Sequence, residues 1–82
     1  MMTITVQFWA QCARVVGQRE TRVELPASAT VAALLENIYV QWPELQAFDK
    51  TLLVAVGLEW AKREHVLKDG DSVMLAPPVA GG

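Results

Sequence analysis

The groups able to do chemistry in this chain are few, and the most distinctive lie at its end, in Pro77-Pro78-Val79-Ala80-Gly81-Gly82. A strand ending on two glycines carries its α-carboxylate past residues with no side chains. It can be threaded into a narrow channel, and its terminal carbonyl carbon is open to attack from either face. The prolines upstream lock φ and keep the tail extended as it leaves the domain. The tail from Pro77 to Gly82 reaches roughly 20 Å at full extension, enough to pass from a domain surface into a partner's active site. On this reading the C-terminal carboxylate is itself the reactive group. The plainer reading is a frayed end. Two terminal glycines arise by chance in about 0.5% of chains, so the dipeptide alone carries little. The whole prolyl tail, placed directly after a strand, carries much more.

Inside the domain, chemistry is mostly absent. An acid–base or nucleophilic enzyme needs at least two convergent polar groups. His65 is the only histidine and lies in the polar stretch Lys62-Arg63-Glu64-His65, where it reads as a solvated loop residue. Cys12 is the only cysteine, with no histidine near it in sequence, and packing is its expected role. Asp49, Asp69 and Asp71 sit in turn contexts and are too few for a metal site. Gly17, Gly57 and Gly70 are isolated turn glycines without a phosphate-loop pattern. Three tryptophans are many for this length. Trp42 is expected in the core, while Trp9 either covers a second small cluster or anchors a partner.

The elements that must position the tail follow from periodicity. Thr3–Trp9 alternates as a strand, with Ile4, Val6 and Phe8 on one face and Thr5, Gln7 and Trp9 on the other. Ala10–Val16 predicts a turn or two of helix ending at Gly17. Thr21–Leu25 is a second strand ended by Pro26, making a loose hairpin with the first. Ser28 or Thr30 caps a helix whose stripe is Val31, Leu34, Leu35, Ile38 and Trp42, and Pro43 stops it. Pro43 to Phe48 forms a further short turn. Leu52–Val56 is a continuous apolar run suited to a buried strand, Gly57 breaks it, and Glu59–Ala61 is a short return strand. Asp69-Gly70 signals a turn, and Ser72–Ala76 is the last strand before the tail. A helix stripe and a sheet face must cover each other. The expected fold is therefore α+β: one main helix across a mixed sheet of four or five strands, the first and last parallel and central, as in a ubiquitin-like β-grasp. Residues 1–76 make the domain and 77–82 a flexible tail.

Bulk properties set limits. At 82 residues this is one domain near the small end of what folds without staples. Its stability is expected on the order of 4–12 kcal/mol. A hydrophobic content of 52% and a mean hydropathy of +0.25 are high for its size, implying a full core plus apolar surface reserved for a partner. No apolar run approaches a membrane span, and no basic region precedes an apolar stretch at the start, so membrane insertion and secretion are not expected. A lone cysteine fits a reducing cytoplasm. A net charge of −2 with dispersed Lys and Arg argues against nucleic acid.

Several of these segments resemble one family. Gln7-Phe8-Trp9-Ala10 through Arg14 and Gly17 is similar to its aromatic-aromatic-Ala opening followed by a glycine. Leu52-Leu53-Val54-Ala55-Val56 resembles its central strand. Leu67-Lys68-Asp69-Gly70-Asp71-Ser72-Val73, followed by the Pro77–Gly82 tail, resembles its closing segment closely. The family is that of the small subunit of molybdopterin synthase, within the ubiquitin-like sulfur carriers. The resemblance covers essentially the whole chain; the Asp-Gly-Asp turn and prolyl diglycine tail are its specific part.

That resemblance implies a carrier cycle at Gly82. An E1-like, ATP-dependent activating enzyme adenylates the carboxylate, and a sulfur donor converts it to a thiocarboxylate. The tail then enters the large synthase subunit, where sulfur passes to cyclic pyranopterin monophosphate. Gly82 carries the sulfur, and Gly81 lets the tail through the channel. The chain is expected to be catalytically silent alone and to hold no cofactor stably, in a heterotetramer of two small and two large subunits. Pairing is expected to use Trp9, Met74 and Leu75 on the apolar sheet face, with Pro77, Pro78, Val79 and Ala80 of the tail. Two positions depart from the pattern. Relatives often carry an aromatic residue before the prolines, where this chain has Leu75-Ala76, and Trp9 or Met74 are the candidate replacements. Relatives often carry Asn at Gly57, which fits a turn with positive φ.

Three other readings compete. A carrier for thiazole or thiolated-tRNA synthesis shares the chemistry, though such carriers tend to be shorter and to lack Pro-Pro-Val. A protein modifier would end the same activated carboxylate on a lysine. A plain binding domain with an inert tail would tolerate removal of Gly81-Gly82.

Overall fold

The first strand, β1 (Met2–Phe8), alternates buried and open positions along its length because its odd and even side chains point to opposite faces. The computed structural model describes residues 1–77 of the chain. β1 stops at Phe8, one residue short of the Thr3–Trp9 expectation, because the backbone turns sharply at Ala10 into α1 (Gln11–Val16). Gly17, at φ 84°, ends α1. β2 (Glu20–Leu25) returns antiparallel to β1, so the loose hairpin is present with a short helix in its connection.

α2 (Val31–Gln41) starts at Thr30, whose side-chain oxygen accepts from the Ala33 N–H at 3.3 Å. This settles the choice between Ser28 and Thr30. Two first-turn donors go elsewhere: Val31 N–H to the His65 carbonyl and Ala32 N–H to the Arg63 carbonyl, both at 2.9 Å. The segment from Arg63 to His65 thus satisfies backbone groups that a helix start leaves orphaned. Val31, Leu34, Leu35 and Ile38 are buried, as their spacing requires. Trp42 caps the helix and is half-buried; its ring meets Phe8 edge-on at 5.5 Å. Pro43–Phe48 is a 3₁₀ turn that sinks Leu45 into the core.

β3 (Leu53–Val56), β4 (Glu59–Trp60) and β5 (Ser72–Ala76) complete a five-stranded sheet in the order β2-β1-β5-β3-β4. β3 begins one residue after, and β4 ends one residue before, the expected limits. β1 and β5 run parallel, and every other pair is antiparallel. The expected ubiquitin-like β-grasp is the fold observed. The core lies between α2 and one sheet face, joining Ile4, Val6 and Phe8 to Val23, Leu25, Val54, Val73 and Leu75. The β3–β4 turn places Gly57 at φ 63°, a left-handed conformation that glycine or asparagine adopts most readily. A Cβ there would meet nothing within 4 Å, so backbone preference alone selects the residue.

Candidate functional site

The parallel pairing of β1 with β5 decides where the tail leaves. Phe8 stands opposite Leu75, and the Trp9 N–H donates to the Leu75 carbonyl at 3.0 Å. β5 ends at Ala76, so Pro77 departs beside Trp9. Trp9 is 54% exposed, which answers the sequence-level choice in favour of an open position.

Alternation then sorts the neighbouring residues. Val73 and Leu75 point into the core, whereas Met74 shares the opposite face with Gln7. Leu75 is fully buried, so it is not part of a surface with Trp9 and Met74. This corrects the grouping of Met74 with Leu75: adjacent residues of one strand face opposite ways. The signal was present in the sequence, as the period of two across Ser72–Ala76.

The outer face instead collects residues that local reading left unassigned. One row crosses all five strands through Glu20, Gln7, Met74, Ala55 and Trp60. Leu53 pairs with Ala76 one step nearer the tail. Ala55 is buried yet stands outside the core cluster, consistent with its place between Met74 and Trp60. Trp60 is 69% exposed, and Leu58, in the turn before it, is fully exposed. The apolar run Leu52–Val56, expected as a buried strand, has Leu52, Val54 and Ala55 buried and Leu53 and Val56 half-buried.

The three aspartates, Tyr39 and Arg63 are committed to architecture. Asp69 accepts from the Thr3 N–H and Asp71 from the Lys68 N–H, both at 2.8 Å, which tie the turn before β5 to β1 and to itself. Asp49 accepts from the Tyr39 hydroxyl at 2.6 Å. The Arg63 guanidinium donates to the Asp49 backbone carbonyl at 2.7 Å and lies 3.8 Å from its carboxylate. Burial, then the Asp49 hydrogen bond and charge, push the Tyr39 phenol well above its ordinary range. Cys12 is fully buried, and burial raises its thiol, keeping it protonated and inert. His65 is exposed. Among the described residues no group of three or more His, Cys, Asp or Glu could hold a metal, and no helix is long and apolar enough to cross a membrane. Pro77 is half-buried; Pro78, Val79, Ala80, Gly81 and Gly82 lie outside the described residues.

A β-grasp whose last central strand ends beside an exposed tryptophan, with Asp69 and Asp71 used in the turn before it, belongs to the class of ubiquitin-like proteins. Within that class the chain is a member of the ThiS family, whose sequence profile matches residues 6–82. It is 39% identical over 82 residues to the molybdopterin synthase sulfur carrier subunit of Escherichia coli (strain K12), covering 96% of this chain and 99% of that one. It is 35% identical over 83 residues to the subunit of the same name from Chlamydomonas reinhardtii, covering 99% and 100% respectively. Among solved structures, the small archaeal modifier protein 1 of H. volcanii superposes with a TM-score of 0.87 at 26% identity, over 96% of this chain and 100% of that one.

Proposed function

We propose that this chain is the sulfur-carrier subunit of a cytoplasmic molybdopterin synthase. The observation that carries the reading is the full-length similarity to sulfur carrier subunits of that enzyme, reaching across the diglycine tail. The Gly82 carboxylate is a poor electrophile. An activating enzyme joins it to AMP from ATP with release of pyrophosphate, making an acyl phosphate that sulfur can attack as AMP departs. The resulting thiocarboxylate enters the large subunit, its sulfur bonds to cyclic pyranopterin monophosphate, and water then cleaves the acyl–sulfur bond, so that the sulfur stays on the pterin and Gly82 returns as a carboxylate. Two such transfers make one dithiolene. Acid–base groups come from the large subunit, since Asp69 and Asp71 are held in the turn before β5 and the Cys12 thiol is buried.

The large subunit docks on the outer sheet face at Met74, Ala55 and Trp60, continuous with Trp9 and the departing tail. Two small and two large subunits make the expected assembly. Gly81 passes the channel because it has no side chain, so Gly81→Ile blocks both activation and synthase turnover.

The test is the intact mass of the chain after incubation with ATP, a sulfur donor and the matching activating enzyme. A gain equal to the difference between sulfur and oxygen, located on Gly82, supports the reading. No gain, with an enzyme competent on another carrier, overturns it. A protein-modifier reading is favoured by one observation, the close superposition on an archaeal modifier protein. It predicts conjugates linking Gly82 to lysines of other proteins.

A further inference from the structure

On the outer face of β5 and β3, alanine stands between larger side chains at two places. Ala55 pairs with Met74 on one side and Trp60 on the other, and it is only 6% exposed. Ala76 pairs with Leu53 on one side. On its other side the Trp9 N–H donates to the Leu75 carbonyl, just as the Thr5 N–H donates to the Asp71 carbonyl, both at 3.0 Å. Thr5 stands opposite Ser72 in the parallel ladder, so the same step sets Trp9 opposite Ala76. Met74, two residues back on the same face, forms a third wall. Here the chain does not cover its alanine: Ala76 is half-buried and Trp9 is 54% exposed. The result is a notch with Ala76 as its floor and Trp9, Leu53 and Met74 as its walls.

What stands over the notch follows from the tail. Pro77 comes directly after Ala76, and the chain from there to Gly82 reaches roughly 20 Å at full extension. For Gly82 to react inside the large subunit, most of that length must lie within the channel. The partner's surface therefore closes on the strand end from which the tail departs. Interface cores pack as densely as protein interiors, so a notch covered in this way is filled rather than left empty. Its walls are apolar apart from the Trp9 indole N–H, and a polar occupant would lose its hydrogen bonds to water there.

We infer that Ala76 is a specificity-determining residue for docking: its small side chain leaves the notch in which an apolar side chain of the large subunit seats. The inference rests on the carrier reading and the docking surface proposed above. A larger residue at position 76 fills the notch from within and displaces the partner's side chain. Affinity therefore falls with size along Ala76→Val, Ala76→Ile and Ala76→Phe, by about tenfold or more at phenylalanine, as overpacking of a fitted site requires. The free chain tolerates the series, because these side chains point outward and suit a strand.

The experiment is calorimetric titration of the full-length variants against the purified large subunit, with the Tm of each. Met74→Glu serves as the control on the docking surface. Support is a loss of affinity ranked by size, with Tm near the wild-type value. Equal or tighter binding by Ala76→Phe, with Met74→Glu weakened, overturns the inference and leaves the docking surface standing. Full affinity in Met74→Glu removes the surface, and the inference with it. A second measurement keeps the native residue. The chain is labelled with ¹³C in its alanine methyl groups, and the Ala76 resonance is assigned as the one missing in Ala76→Val. In complex with unlabelled large subunit, nuclear Overhauser contacts from that methyl to aliphatic or aromatic protons of the partner are expected. Their absence overturns the inference even where the size series shows a loss, and this measurement decides alone if a variant fails to fold.

Discussion

The two faces of the sheet are built from the same strands and obey different rules. Toward α2, Ile4, Val6, Val73 and Leu75 are wholly excluded from solvent. On the outer side, Gln7, Met74, Ala55 and Trp60 lie in register, and only Ala55 is buried. The outer face is itself divided. Over β1 and β2 it carries Thr3, Thr5, Gln7, Arg22 and Glu24, side chains that water satisfies. Over β5, β3 and β4 it carries Leu53, Ala55, Met74, Ala76 and Trp60, which it does not. An antiparallel sheet facing water normally alternates apolar inside and polar outside. β3 breaks that pattern, and the break falls beside the strand that delivers the tail. Stability is concentrated on one side, and the proposed docking surface lies on the other.

The sharpest way to break this division is in the inner layer. Leu34 is fully buried on α2, so Leu34→Ala leaves a cavity and costs about 2–5 kcal/mol. That is a large share of the roughly 4–12 kcal/mol expected for a domain of this size. Thermal or urea unfolding should show a strongly lowered midpoint. If the two faces are separate, large-subunit affinity of the fraction still folded stays near the wild-type value. A matching loss of affinity would mean that the core sets the outer surface too.

The converse change is Trp60→Ala. The side chain is mostly solvent-exposed, so stability should move by less than about 1 kcal/mol. As an aromatic anchor it should cost about 2 kcal/mol of association, roughly thirtyfold in affinity. Calorimetric titration against the large subunit reads this directly. Unchanged affinity would take β4 out of the interface and confine docking to Trp9, Met74 and the tail.

The sequence made one side of this comparison easy to read. Alternation in β1 and β2, the α2 stripe with its Thr30 cap, and the Asp69-Gly70 turn all rest on local chemistry. Ser72–Ala76 matched its strand residue for residue. The outer side was harder, because membership there depends on register between distant strands. Trp60 joins Met74 only through Ala55, a pairing that no local window contains. Leu75 was misplaced for the opposite reason, since nearness in sequence outweighed a period that was already visible. The positive φ of Ala10, 51°, left no trace in the sequence, because alanine carries no turn signal.

The smallest effect concerns the rim of the inner layer, where Tyr39, Asp49 and Arg63 tie α2, the 3₁₀ turn and the loop after β4 together. Tyr39 packs against the core with its hydroxyl on the Asp49 carboxylate. Burial and that carboxylate both favour the neutral phenol, and Arg63 opposes them only in part. The folded phenol therefore keeps a proton that the unfolded chain begins to lose near the ordinary tyrosine value of about 10. Binding more protons when folded means stability declines as pH rises above about 10, and is complete below it. Tyr39 is the only tyrosine, so phenolate absorbance reports this one group without ambiguity. The native chain should titrate above the ordinary value, and Tyr39→Phe should lose part of the alkaline decline in stability. A native midpoint at the ordinary value would show that the clasp is open in solution. Large-subunit affinity should be indifferent to this change, because the clasp lies on the side of the sheet opposite the proposed docking surface.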